Sequence, residues 1–188
     1  IIEGANPKTY IHTDWDWAND GKHRFYRFKL VPGDFETFEI IHESYSKDKN
    51  TVFHQFGGNL TPIAADLATF ETLGKESIAK DKSNVYCMSY KGSTKNTLVT
   101  IPLNSGETVA NLNNIHLRIG GNIYHWGELI EEIDAESFEV VNHHYGKDKN
   151  HVFYQGLILE DADVTTFGIL EEGGIGDKNG RFREGKRI

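Results

Sequence analysis

Hydrophobic and polar positions alternate over short stretches of this chain, and a polar turn closes each stretch. Phe38 and Ile40 fall on one face of a predicted strand, with Glu39 on the other. An alternation with a period of two is typical of a β-strand that buries one face. Nineteen glycines and 12% aromatic residues fit many short strands joined by turns. The pattern therefore predicts an all-β protein.

A second strand is predicted over residues 45–47, and residues 51–55 form its antiparallel partner. Between them lies the triplet Asp48-Lys49-Asn50, a tight turn in which Asn can adopt the left-handed conformation. Asp34, at the start of the stretch, is expected to cap a turn by accepting backbone N–H groups. The unit is thus a capped turn followed by roughly three short strands, which Gly57-Gly58 then ends.

The stretch 34–54 is repeated, almost unaltered, at residues 134–154. In both copies an Asp is followed four residues later by an anchor Phe, with Thr or Ser just before it. Six anchors can be traced along the chain, at spacings of 28, 32, 39, 29 and 29 residues: Tyr10, Phe38, Phe70, Val109, Phe138 and Phe167. A second aromatic residue follows each anchor and is predicted to be buried: Phe25, Phe53, Tyr86, Tyr124, Phe153 and Phe182.

Residues 1–188 are therefore predicted to be a single domain of six repeats of about 29 residues. A propeller blade has ~40–45 residues and four strands, so an open solenoid-like array is favoured over a propeller-like closed ring. Arg24 and Arg181 stand in the first and last copies where the inner copies have aliphatic residues, which indicates two polar ends. The longest spacing comes mainly from an insertion, Lys91 to Asn104. Its segment 97–101 is predicted to be an extra strand that ends at Pro102.

The repeat resembles that of the DKNYY family of bacterial proteins. The similarity rests on Asp-Lys-Asn followed by Val-Phe-Tyr, with Asp-x-x-Thr-Phe-Glu upstream, and extends over nearly the whole chain. The third copy departs from it with Asp81-Lys82-Ser83, and the fourth has Ile119-Gly120-Gly121. The family has no established general activity, so the resemblance implies an array of β-rich repeats and little about chemistry.

The net charge is −8, which argues against nucleic acids and anionic membranes and permits a basic protein partner. Cys87 is the one cysteine, so no intramolecular disulfide forms. No transmembrane run or signal peptide is seen. Because the chain starts at Ile1, the sequence leaves the compartment open between the cytoplasm and, after removal of a signal, the cell envelope or the exterior.

Two groups of residues have the chemistry of metal ligands, but each also has a structural interpretation. The Asp-x-Asn of the triplets could suggest calcium, but the Glu and Gly of an EF-hand loop are missing, and a hairpin turn is favoured. His144 and His151 could approach each other and hold zinc. No cysteine joins them, and surface or half-buried histidines, including His42 and His54, are the preferred interpretation. We expect no cofactor and no metal.

Binding residues are sought in the position after the second aromatic, which strand alternation places on the opposite face. It is predicted to be an exposed recognition stripe, with a second buried layer as the alternative; its residues are Tyr26, His54, Cys87, His125, Tyr154 and Arg183. A sugar-stacking platform could be built from Trp15, Trp17, Trp126, Tyr26 and Tyr154, although Trp17 occupies a core position. The candidate binding residues are Tyr26, His54, His125, Trp126 and Tyr154.

The chain contains no nucleophile-elbow, P-loop, dinucleotide or zincin motif. We therefore expect a non-catalytic binding or scaffold module that recognises another protein. A specific form of this expectation is an immunity-type protein that neutralises a basic toxin. The alternative is a carbohydrate-binding module of the bacterial cell envelope, which the aromatic residues favour.

Overall fold

A computed structural model of the chain describes residues 2–74, 77–90 and 96–188. These residues form β-strands and turns, and no helix occurs among them. The strands make six antiparallel four-stranded sheets, in each of which strands that follow one another in sequence are neighbours. The all-β fold and the tandem repeat are therefore confirmed, and no sheet within the described residues closes into a barrel, as expected for an array of separate repeats.

Each repeat corresponds to one sheet. The strands of the first three sheets are β1 (Ile11–His12), β2 (Trp17–Asn19), β3 (Arg24–Tyr26), β4 (Lys29–Leu30), β5 (Glu39–His42), β6 (Tyr45–Lys47), β7 (Val52–Phe56), β8 (Asn59–Ile63), β9 (Glu71–Thr72), β10 (Ala79–Lys80), β11 (Asn84–Ser89) and β12 (Thr97–Pro102). Those of the last three are β13 (Val109–Asn111), β14 (His116–Ile119), β15 (Asn122–His125), β16 (Glu128–Leu129), β17 (Glu139–Val140), β18 (Tyr145–Lys147), β19 (Val152–Tyr154), β20 (Leu157–Ile158), β21 (Gly168–Ile169), β22 (Ile175–Asp177), β23 (Gly180–Arg183) and β24 (Lys186–Arg187).

The predicted count of three strands per repeat is wrong, because every sheet has a fourth. Gly57-Gly58 does not end its repeat but forms the turn that leads into β8. The segment at 97–102 is likewise not an extra strand: β12 is the fourth strand of the third sheet. Residues 91–95 of the predicted insertion lie outside the described residues. The strand count therefore no longer distinguishes these repeats from propeller blades.

Contacts divide the chain into two compact units, residues 1–84 and 85–188. The single-domain interpretation stays a prediction. In the first unit, the ring of Phe38 lies between Trp17 of the preceding repeat, at 5.4 Å, and Phe53 of its own, at 5.9 Å. Tyr45 packs in the same way on the next anchor, Phe70, at 5.3 Å. Successive repeats thus stack through their anchors.

The second unit uses the same packing. The ring of Phe138 lies 5.6 Å from His116 of the preceding repeat, and that of Phe167 lies 5.7 Å from Tyr145. Ile123 and Val152 are buried in the clusters that contain these two anchors. Burial of the second aromatic residues is confirmed for five of the six copies: Phe25, Phe53, Tyr86, Phe153 and Phe182. Tyr124, the sixth, is half-buried.

The two arginines that were predicted to mark the ends differ from each other. Arg181 is exposed and pairs with Glu172, as a terminal residue should. Arg24 instead lies over the ring of Phe38, with 5.2 Å between its guanidinium carbon and the ring centroid. Residues at this position of the repeat face the following repeat: Ile123, the equivalent residue of the fourth repeat, packs with Phe138 of the fifth. The end-capping prediction is therefore wrong for Arg24, which has a following repeat.

Candidate functional site

The Asp of the Asp-Lys-Asn triplet has a structural role. In the fifth repeat, Oδ1 of Asp148 accepts the backbone N–H groups of Asn150 and His151, each at 2.7 Å. Its Oδ2 accepts the backbone N–H of Asp134 at 2.7 Å. Asp148 is 4% exposed, and both of its carboxylate oxygens accept hydrogen bonds. This geometry confirms the predicted turn.

The cap residue Asp134 completes the same network. Its Oδ1 accepts the backbone N–H of Ser137 at 2.9 Å and the Ser137 hydroxyl at 2.7 Å. Its Oδ2 accepts Nζ of Lys149 at 2.7 Å. These bonds, that from Lys149 first, lower the pKa of Asp134 to about 2. The predicted cap is therefore confirmed. The repeated Asp residues of the cap and of the turn hold the backbone of the repeat in place.

No group of three or more His, Cys, Asp and Glu side chains in the described part of the chain is arranged to hold a metal ion. The described residues also contain no helix long and apolar enough to cross a membrane. In the fourth repeat, which lacks the triplet, the turn position is filled by Ile119, which is buried. The frame therefore tolerates an apolar residue where the Asp is missing.

The predicted recognition stripe is mostly a buried layer. Tyr26, His54, Cys87 and His125 are buried, Tyr154 is half-buried, and only Arg183 of the six is exposed. The expected exposure is thus wrong for four of them, including the histidine His54. The rings of Tyr26, His54 and His125 pack on the facing strand, as that of His125 does on His116 at 4.8 Å. Burial lowers the pKa of His54 and of His125 to about 4, and raises that of the Cys87 thiol to about 12.

A groove of about 390 Å³ with exposed apolar side chains lies along the outer strands of the fourth and fifth repeats. We call it the repeat 4–5 groove and define it by Tyr90, His125, Trp126, Glu128, Leu129 and Leu157. Three of these side chains are large, apolar and exposed: Tyr90 at 40%, Leu129 at 49% and Leu157 at 72%. Exposed apolar side chains gathered at one place are a mark of binding surfaces.

A strained turn places Trp126 in this groove. Trp126 and Gly127 both have positive φ angles, +48° and +73°, in the turn between β15 and β16. A Cβ atom on Gly127 would lie 2.6 Å from the side chain of Val99, so only glycine fits. The Trp126 ring packs edge-to-face on Tyr90, with 4.2 Å between centroids. Beside it, Glu128 accepts the Ser89 hydroxyl at 2.9 Å.

The predicted binding residues are distributed over several places. The groove brings together His125 and Trp126. Tyr154 lies outside its lining, and His54 belongs to the core of the first unit. Tyr26 borders a different groove of about 270 Å³, between the outer strands of the first and second repeats.

The sequence interpretation missed Tyr90, Glu128, Leu129 and Leu157. A signal was available for Leu157, since Leu-Ile directly after the Gln-Gly turn suits a short edge strand. Nothing local marks Tyr90, which meets Trp126 from 36 residues away in the chain. The outer strands β16 and β20 could not be predicted from alternation, because each is only two residues long.

Comparison with known proteins agrees with the repeat pattern. The sequence model of the DKNYY family matches residues 56–186, more than half of the chain. The match begins within the second repeat and reaches into the last strand, β24. No curated protein and no solved structure matches this chain.

Proposed function

We propose that this chain, which belongs to the DKNYY family, is a non-catalytic module that binds a basic protein partner through the repeat 4–5 groove. The observation that carries the proposal is Leu157, which is 72% exposed beside the half-exposed Leu129. Water contact of apolar side chains is unfavourable, and covering them with a partner would recover that free energy.

Charge supports a basic partner. The net charge is −8, and one carboxylate, that of Glu128, lies in the groove itself. An acidic surface raises the association rate of a positively charged protein and fixes its orientation. An immunity-type protein that neutralises a basic toxin is the specific form of this proposal.

The absence of catalysis is supported by the bonding of the acidic residues. Asp134 and Asp148 hold backbone N–H groups, so their carboxylates are committed to the fold. The buried Cys87 has a raised pKa and is a poor nucleophile at neutral pH.

A carbohydrate partner is the alternative, and the exposure of Trp15 favours it. Its side chain is 99% exposed, as a sugar-stacking ring must be. The larger platform suggested by the sequence is disfavoured, because Trp17 and Tyr26 are buried.

Two matched variants test the proposal. Proteins captured by the immobilised chain from host extract are identified, purified and tested individually for association at low and high salt. The proposal predicts a basic partner that associates more slowly at high salt. Leu157→Asp should abolish its binding, whereas Ile169→Asp, at a position 68% exposed outside the groove, should not. Equal binding by the two variants, or a glycan ligand insensitive to salt, would refute it.

A further inference from the structure

Arg24 carries a charge into the packing between the first two repeats, at a position that four of the six repeats fill with an aliphatic residue. Its guanidinium group lies over the rings of Phe35 and Phe38, 5.5 and 5.2 Å from their centroids. Arg181, at the same position of the last repeat, pairs with Glu172 at 2.6 Å. Arg24 has no such acceptor among the described residues, and its Nε is buried without a hydrogen-bond partner. Since Nε is the nitrogen that is closed off, the two terminal nitrogens remain accessible to an acceptor from outside.

These terminal nitrogens adjoin a pocket of about 30 Å³ between the first and second repeats, which we call the Arg24 pocket. Lys22, His23 and Phe35 also line it. Lys22 is exposed, and its ammonium group makes no hydrogen bond or ion pair within the described part of the chain. Nδ1 of His23 faces Asp20 at 3.1 Å. Two cations without a counterion therefore meet at one small cavity.

The carboxylates around the Arg24 pocket are engaged by other donors. Asp34, which borders the pocket, accepts Nζ of Lys49 at 2.7 Å. Its other oxygen accepts the backbone N–H and the hydroxyl of Thr37. Asp20 is buried and accepts backbone N–H groups with both of its oxygens. The fold thus satisfies its own carboxylates elsewhere and leaves the charge of Arg24 to be balanced from outside.

A carboxylate matches this pocket better than other anions. One water-sized atom needs about 10–15 Å³, so the pocket has room for about two oxygen atoms, whereas phosphate and sulfate carry four. Guanidinium and carboxylate groups pair through two parallel hydrogen bonds. The rings of Phe35 and Phe38 hold the guanidinium group on one side and keep water from it, which strengthens such a pair. The net charge of −8 does not prevent this, since exposed charges more than about 10 Å away are largely screened in 0.1 M salt.

We propose that the Arg24 pocket binds a carboxylate group of a peptide or protein ligand, with Arg24 as the bidentate donor and Lys22 as a second cation at the rim. The site lies within the first unit and goes beyond the function proposed for the repeat 4–5 groove. Its success or failure is therefore independent of that function.

Nuclear magnetic resonance titration with N-acetyl-glutamate methylamide tests the site, with the glutamine counterpart as the uncharged probe of the same shape. The glutamate probe should shift the Nε–H resonance of Arg24 and saturate. The glutamine probe should bind about tenfold more weakly or not at all, since it lacks the charge. Equal affinity for the two probes, or saturation without a shift at Arg24, would overturn the inference.

Two further anions define what the pocket accepts. N-acetyl-alanine presents a terminal carboxylate, so the tighter of the two carboxylate probes identifies the source as a side chain or a chain end. Inorganic phosphate should bind more weakly than either probe because its four oxygens exceed the room available. Tighter binding of phosphate than of both carboxylates would overturn the assignment.

Three charge-removing variants complete the experiment. Arg24→Gln should weaken the glutamate probe at least tenfold, measured at the ring resonances of Phe35. Arg181→Gln, the same change at the same position of the last repeat and outside the pocket, should leave the affinity unchanged. Lys22→Gln lies at an exposed position, so it should fold normally even if Arg24→Gln does not, and it should weaken the probe severalfold. Unchanged affinity in Arg24→Gln or in Lys22→Gln would overturn the inference.

Discussion

The backbone N–H of Asp134 donates to Oδ2 of Asp148 at 2.7 Å, so two acidic residues of one repeat are joined without any charge pairing between them. The bond ties the cap at the start of the repeat to the hairpin turn in its middle. The same bond recurs between Asp34 and Asp48, and between Asp163 and Asp177, at 2.8 Å each. This link explains the Asp of the turn, whereas the Asp of the cap is explained by the hydrogen bonds that its own carboxylate accepts from Ser137 and Lys149.

Removing the turn carboxylate should destabilise the protein strongly. Asp148→Ala removes a buried carboxylate and leaves the N–H groups of Asp134, Asn150 and His151 without their acceptor. We expect the free energy of unfolding to fall by about 3 kcal/mol. Urea unfolding measures it, with the exposed Glu136→Ala as control. A loss below about 1 kcal/mol would contradict the assigned role.

Removing a second aromatic residue should cost as much as any core truncation. Phe153 is 1% exposed and packs with Phe138 and Ile123. Phe153→Ala should therefore cost about 3–5 kcal/mol. Leu157→Ala, in the groove, should change stability by less than about 0.5 kcal/mol, because the side chain is mostly in water. Similar losses in the two variants would mean that Leu157 belongs to the core.

Stability should fall as the pH drops below the ordinary histidine range. Burial lowers the pKa of His54, His116 and His125 from 6.5 to about 4, 3 and 4. Below pH 6.5 the unfolded chain binds protons that the folded chain refuses, so the free energy of unfolding decreases toward pH 4. The lowered pKa of Asp134, about 2, also decreases the free energy of unfolding on acidification, but this effect develops below the ordinary pKa of 3.8. Between pH 6.5 and about 4, the decrease in the free energy of unfolding is therefore due largely to the buried histidines.

Urea midpoints measured across that window test the histidine effect. His54→Tyr should flatten the dependence, since Tyr occupies the same position in the first and fifth repeats. Stability that does not change between pH 6.5 and 4 would show that these rings are hydrated or already protonated.

Substitution of the two arginines should have different effects on association. Arg181 is exposed, so Arg181→Val creates an apolar surface on the last repeat. The mass measured by light scattering should then rise with protein concentration. Arg24 lies against Phe38 of the next repeat, so Arg24→Val should leave the mass unchanged. Association in both variants, or in neither, would contradict the directional packing of the repeats.

The sequence predicted those features that depend on neighbours within one repeat. The cap at Asp134, the turn at Asp148 and the buried Phe153 all follow from local hydrogen bonding and strand alternation. It failed where neighbouring repeats decide the outcome. His125 is buried because the stacked sheets cover both of their faces, which alternation alone cannot reveal. The groove likewise assembles Tyr90, Trp126 and Leu157 from three successive repeats.

In this account, the repeated acidic motif holds the backbone of the repeats in place, and binding occurs in the repeat 4–5 groove. Hydrogen–deuterium exchange of the chain with and without its purified basic partner tests this most directly. We predict that the partner slows exchange in β16, β20 and the turns 126–127 and 155–156. Protection centred on the Asp-Lys-Asn turns, or confined to residues 2–74, with the groove unchanged, would contradict the account.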